Sequence, residues 1–205
     1  MIRQSVSDSK RATIIQAATA LFLKHGVQKA SMSAIAEAAP VSKATLYKYF
    51  ESKDVLLVAC ISEFCTDLLQ SMALVTLESD SVENTLEAIA TDFVDLIFDQ
   101  QGLALYRLVI AECSDFPELA EMVYASVPKV ALQIVQGYLE SVNRLGIFNI
   151  KETEFAAESF FCLLKGERHF QCLLGVKPPP SEIEKKQMID KVIKVYIQGF
   201  LYAVQ

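Results

Sequence analysis

Residues 40–54 read PVSKATLYKYFESKD. Pro40-Val41 predicts a turn, and Ser42 predicts the cap of a short helix over roughly residues 43 to 49. Leu46 and Phe50 lie four apart and point to one side, toward a core. Ala44 and Lys48 then face directly outward, with Thr45 and Tyr47 on the flanks. Just upstream, Ser31 or Ser33 can cap another short helix, whose core face is Ile35 with Ala36 and Ala39. Two short helices joined by a tight turn form a helix-turn-helix pattern.

The outward edge of the second helix is polar, with one small residue that lets it sit deep in a major groove. Thr45 offers a hydroxyl and a methyl to base edges, and Lys48 can reach guanine acceptors. Lys43, Ala44, Thr45, Tyr47 and Lys48 are therefore the candidate base contacts. Ser31, Ser33, Ser42 and Lys53 lie at or beside helix starts, where free N–H groups suit phosphate. With Tyr49, whose hydroxyl can reach the backbone, they are the candidate phosphate contacts. Charge supports this. Residues 1–54 carry eight Lys/Arg against four Asp/Glu, and residues 55–205 carry eleven against twenty-one, within a chain of net charge −6. A polyanion is drawn to the front of the chain and repelled by the rest.

The remainder reads as helix. Ile14, Ala18 and Leu21, with Ile15 and Phe22, form a helical stripe after a cap at Ser7, Asp8 or Ser9, and His25-Gly26 ends it. Ser52 caps a long fourth helix from Lys53. Residues 82–100 are amphipathic, Gly102 punctuates, and 103–113 form another helix. Pro117 suits a helix first turn, and Pro128 demands a kink or restart near Ser126. Gly146 ends that segment. Helices follow over about 152–173 and 182–204, separated by the stiff VKPPPSE. The fold class expected is all-α, with a three-helix head over residues 1–52 and a larger helical domain over 53–205.

Apolar residues make up 52% of the 205, and mean hydropathy is +0.30. That surplus suggests a buried subunit interface or an apolar cavity. No run of ~18 apolar residues suggests a membrane span. Residues 1–13 lack the apolar core of a signal peptide. Five irregularly spaced cysteines argue against a disulfide framework, so a cytoplasmic protein is expected. No nucleotide-binding, zinc-protease or catalytic-triad pattern occurs, so neither enzymatic activity nor a cofactor is expected. Cys162 and His169 are two helical turns apart, with Cys172 nearby. They lack a fourth metal partner, and no metal site is expected.

The stretch from Ala12 to Leu57, with AATALFLKHG, SMSAIAEAA and VSKATLYKYFESK in order, resembles the N-terminal domain of TetR/AcrR-type transcriptional regulators. LYRLVIAECSDFPEL and FAAESFFCLLKGE resemble the C-terminal region of the family's AefR-like branch. The resemblance implies a homodimer on a near-palindromic double-stranded DNA operator, usually a repressor, released by a small-molecule effector. A mostly apolar effector fits the middle helices, where Phe64, Leu68, Met72 and Phe93 are candidate wall residues. Ile97, Tyr106 and Met122 join them, with Arg107 or Glu112 as polar contacts. The last two long helices are expected to pair between subunits through Cys162, Gly166, Phe170, Tyr196, Gly199, Phe200 and Leu201. The two mid-helix glycines there suggest close helix approach. The family usually has glycine where this chain has Pro40. Proline cannot readily adopt a positive φ, so the turn is expected to take another form, with Ala39 extended. Two alternatives stand beside this reading. One is a regulator sensing oxidants through cysteine, and the other is a helical small-molecule-binding scaffold whose DNA binding Pro40 weakens.

Overall fold

The computed structural model describes residues 2–78, 81–114 and 116–200. Among them there are eleven helices and no strand: α1 (Ile2–His25), α2 (Met32–Ala38), α3 (Lys43–Tyr49), α4 (Lys53–Phe64), α5 (Thr66–Glu78), α6 (Val82–Phe98), α7 (Gln100–Cys113), α8 (Pro117–Ser126), α9 (Pro128–Arg144), α10 (Thr153–Leu173) and α11 (Glu182–Phe200). The chain is all-α, with a helix-turn-helix in its N-terminal part. No single helix among the described residues is long and apolar enough to cross a membrane.

The helices pack into two compact units. The first holds the described residues of Met1–Phe64 and Ala104–Ser126, and the second those of Cys65–Leu103 and Val127–Gln205. By packing, the first unit thus runs beyond residue 52 and takes in α4, which lies along α1, together with α8 and most of α7.

Most boundaries follow the local chemistry. Pro117 and Pro128 each open a helix, where a missing N–H costs nothing. Ser52 Oγ accepts the N–H of Val55 at 3.1 Å and starts α4. Ser181 and Glu184 cap α11 reciprocally, with Ser181 N–H donating to Glu184 Oε2 at 2.8 Å. Four expectations fail. α1 begins at Ile2, so Ser7, Asp8 and Ser9 lie inside it, and Thr13 Oγ1 donates back to the Ser9 carbonyl at 2.9 Å. The long fourth helix stops at Cys65 and restarts as α5, with neither glycine nor proline at the break. α7 starts at Gln100 because Asp99 Oδ1 accepts from the N–H groups of Gln101 (2.7 Å) and Gly102 (3.1 Å). Gly102 therefore sits in a first turn and does not end a helix. Finally, α10 is broken at Gly166, which has φ 52° and ψ −167°. That conformation is open essentially to glycine alone.

The second unit is built on aromatic packing. Phe160 lies 5.1 Å from Tyr196 and 5.5 Å from Phe161, and Phe161 lies 4.8 Å from Phe93, all centroid to centroid. Edge-to-face pairs of this kind add to the burial of the rings. Tyr196 is fully buried and donates its hydroxyl to the Ala156 carbonyl at 2.8 Å, and burial pushes its pKa up. His169 is buried edge-on against Phe98, ring centroids 5.6 Å apart, and is hydrogen-bonded to the backbone of Ile97. Burial, then the charge of Lys165, hold its pKa down at about 4, against the opposing pull of the Ile97 contact.

The turn between α2 and α3 corrects a further expectation. Ala39 is not extended but has φ −90° and ψ 14°. Pro40 itself takes the unusual angle, φ 20°. The reason lies in the bonds around it. Ala39 N–H donates to Ile35 O at 2.9 Å, and Val41 N–H donates to Ala36 O at 3.0 Å. The second is the long bond of a Schellman helix end. Its companion would come from the N–H of residue 40, which proline lacks. The motif survives on one of its two bonds, with a ring held far from the roughly −65° it prefers.

Two stability predictions follow from these features. Pro40→Gly should raise the unfolding free energy by about 1–2 kcal/mol. Relief of the strained angle outweighs the added freedom of the unfolded chain. Urea denaturation of the two proteins measures this. Between pH 6.5 and 4, unfolded His169 takes up a proton while the folded residue does not, so stability falls as pH falls. The difference amounts to about 3 kcal/mol over that range, and His169→Leu should remove it from the pH profile of urea unfolding.

Candidate nucleic-acid interface

The head of the first unit is assembled from α1, α2, α3 and α4. Ile14, Ile15, Ala18 and Phe22 of α1 are buried, as are Leu56, Leu57 and Cys60 of α4. α1 ends at His25, with Gly26 at φ 77° taking the left-handed position. Ser31 caps α2, its Oγ accepting the Ala34 N–H at 3.1 Å, and Ser33 is exposed on the helix. Ser42 caps α3 in the same way through the Thr45 N–H at 3.1 Å. Each cap is worth about 1 kcal/mol. A seven-residue helix is unstable alone. α3 persists because Leu46 (0% exposed) and Phe50 (3%) are buried beneath it, each worth about 1.5–3 kcal/mol.

With those two side chains inward, the opposite edge is open. Lys43, Ala44 and Lys48 are exposed, and Tyr47 is 52% exposed. Thr45 is half-buried, and its hydroxyl lies 2.8 Å from Ser42 Oγ, so it is already engaged within the helix. Tyr49 is half-buried with its ring tilted against Phe50. A helix with its side chains is ~10–12 Å across, which suits a major groove ~12 Å wide.

Two features of the head escaped the sequence reading. Arg11 of α1 places its guanidinium 5.7 Å from the centre of the Phe50 ring and pairs with Glu63 of α4 at 3.3 Å. It thus holds the end of α3 from above while bridging two other helices. Gln28, in the loop between α1 and α2, donates to Glu112 Oε2 of α7 at 3.0 Å. These partners lie 39 and more positions apart in the chain, and no local pattern announces them. Lys53 is half-buried, with its ammonium on the carbonyls of Gln28 and Ala30.

The other expected sites are only partly assembled. Leu68, Met72, Phe93 and Ile97 belong to one buried apolar cluster in the second unit. Phe64, Tyr106, Arg107 and Met122 fall in the first unit, where Phe64 and Tyr106 are half-buried and Arg107 and Met122 are exposed. Of the interface residues, Cys162, Gly166, Phe170 and Gly199 are exposed, and Phe200 is half-buried against Tyr196 and Phe155. Tyr196 has to be removed from that set. It is fully covered by its own chain, because its hydroxyl reaches inward to Ala156. Leu201 lies outside the described residues. A Cβ at Gly166 or Gly199 would meet nothing within 4 Å in the chain, so neither glycine marks a close approach inside the protomer. Cys162 is exposed while His169 and Cys172 are buried, so the three do not share a face. The break at Gly166 shifts the helical register between them. Burial pushes the thiols of Cys60 and Cys65 up to about 11, which keeps both protonated.

Residues 14–60 match the bacterial regulatory proteins of the tetR family, and residues 84–200 match the C-terminal domain of AefR-like transcriptional repressors. The chain belongs to the TetR family. Its members are DNA-binding transcriptional regulators, not enzymes, and small-molecule binding is typical of them. A curated relative, the transcriptional activator FasR of Mycolicibacterium smegmatis, is 30% identical over 128 residues, 62% of this chain and 52% of FasR. This chain therefore spans about half the length of FasR. The crystal structure of a TetR-family regulator from Mesorhizobium loti shares the fold with a TM-score of 0.82, at 24% identity, over 96% of this chain and 98% of that one. The flavonoid-responsive regulator FrrA is 28% identical with a TM-score of 0.75, over 95% and 98% of the two chains.

Proposed function

We propose that this TetR-family regulator acts as a homodimer that binds a palindromic operator and represses transcription until a small, mostly apolar effector releases it. The observation that carries this reading is the exposed edge of α3, formed by Lys43, Ala44, Tyr47 and Lys48 over a buried anchor. In this reading residues 1–52 read DNA in the cytoplasm, and residues 53–205 bind effector and dimerise. Lys43, Ala44, Tyr47 and Lys48 face bases. Thr45 adds its methyl and the hydrogen-bonding capacity its hydroxyl keeps beside the contact with Ser42. Ser31, Ser33, Ser42 and Tyr49 lie toward the backbone.

The second unit offers support for pairing. Phe155, Leu163 and Phe170 of α10, Leu174 just past its end, and Val195 of the neighbouring α11 are exposed apolar residues. Large apolar side chains left exposed on packed helices suit burial against a partner. Two half-sites about one helical turn apart, ~34 Å, then fix the separation two α3 helices must reach. An effector that favours a different separation lowers affinity by its differential binding to the two states. Leu68, Met72, Phe93 and Ile97 belong to one buried apolar cluster, and a site opened among them would suit an apolar effector. The matching C-terminal model is that of a repressor, which favours repression, although the relative FasR is named an activator.

The test starts with a duplex selected by the wild-type protein from a randomised pool. Lys48→Ala and Tyr47→Ala should each weaken binding to it by about 1–3 kcal/mol, measured by fluorescence anisotropy, and light scattering at micromolar protein should give the mass of a dimer. Unchanged binding by both variants, or a monomer, would contradict the reading.

A further inference from the structure

Lys53 opens α4, a place that suits a phosphate contact, yet its side chain is committed elsewhere. It is half-buried, and its ammonium lies 3.4 Å from the Gln28 carbonyl and 3.3 Å from the Ala30 carbonyl. Both belong to the loop that joins α1 to α2. An ammonium has three donors and no acceptor, so two of the three point inward at backbone. The loop is held on other sides as well. Val27 and Ala30 are buried, Ala30 N–H donates to the Gly26 carbonyl at 3.3 Å, and the Gln28 side chain is tied to Glu112. Ala30 directly precedes Ser31, the cap of α2. Whatever fixes Ala30 fixes where α2 starts, and α2 carries the turn and α3 behind it.

We propose that Lys53 is a positioning residue for DNA recognition: it clamps the α1–α2 loop to the start of α4 and so sets the placement of α3, instead of neutralising a phosphate. The proposal rests on the DNA-binding reading above. A phosphate could recruit this ammonium only by drawing it away from the two carbonyls or by sharing its one remaining hydrogen. The two roles leave different signatures. A cation that neutralises a phosphate releases a counterion, and removing it flattens the dependence of log K on log salt by about 0.9. A cation turned inward releases none.

The full-length protein is compared with Lys53→Met, which keeps the aliphatic stem, and Lys53→Arg, which keeps a charged donor. The probes are the selected duplex and a scrambled duplex of the same length, each titrated at several salt concentrations. Amide hydrogen exchange across residues 27–31 is followed without DNA. Lys53→Met should bind the selected duplex about tenfold more weakly, with unchanged salt slope and unchanged binding to the scrambled duplex. Its 27–31 amides should exchange faster, and Lys53→Arg should recover most of both losses. A salt slope reduced by about 0.9, an equal loss on both duplexes, or loop exchange unchanged in Lys53→Met would overturn the proposal. A wild-type chain that selects no duplex would defeat the DNA-binding reading instead, and the loop exchange would still decide whether the clamp exists.

Discussion

The head of this molecule depends on the burial of Leu46 and Phe50 side by side. A helix of two turns has almost no stability of its own, and it can rotate about its axis unless something fixes it. Two apolar side chains four residues apart fix both its existence and its azimuth. Everything outward follows by geometry. Ala44 and Lys48 face solvent because Leu46 does not, and Tyr47 stands on the flank between them. Arg11 above Phe50 and Ser42 at the other end hold the two termini of the same short rod.

The larger unit follows a different logic. Its order comes from rings in edge contact and from polar groups turned inward to a backbone partner. Tyr196 with Ala156 and His169 with Ile97 are examples. Each secures two helices to one another while satisfying a group that would be costly to bury alone. Toward the surface, Lys185 joins Asp95 of α6 and Glu182 of its own helix, both at 2.8 Å. This pairing is exposed on the acidic side and contributes modestly.

Local chemistry was legible in the sequence, and distant chemistry was not. Ser31, Ser42, Pro117 and Pro128 act within three or four residues, and they end or begin helices where a reader of the sequence expects. The outward edge of α3 was legible for the same reason, since helical spacing alone decides it. Arg11, Gln28 and Lys53 act across tens of residues, so their partners appear only once the chain is folded. The interruption at Cys65 has no glycine or proline to announce it. Tyr196 on a surface helix looks like an interface residue, because aromatics favour both cores and interfaces and periodicity does not separate the two. Pro40 misled in another way. Its ring preference argued for a different turn, yet the bond from Val41 to Ala36 imposes the shape and the ring yields.

Gly166 gives α10 two straight arms in place of one. An unbroken rod laid along such a surface can follow one arm and must part company with the other. Any molecule that covers Cys162 and Phe170 together therefore has to be jointed at the same depth. A straight rigid partner lacks such a joint, and a second copy of the chain carries one at the same residue.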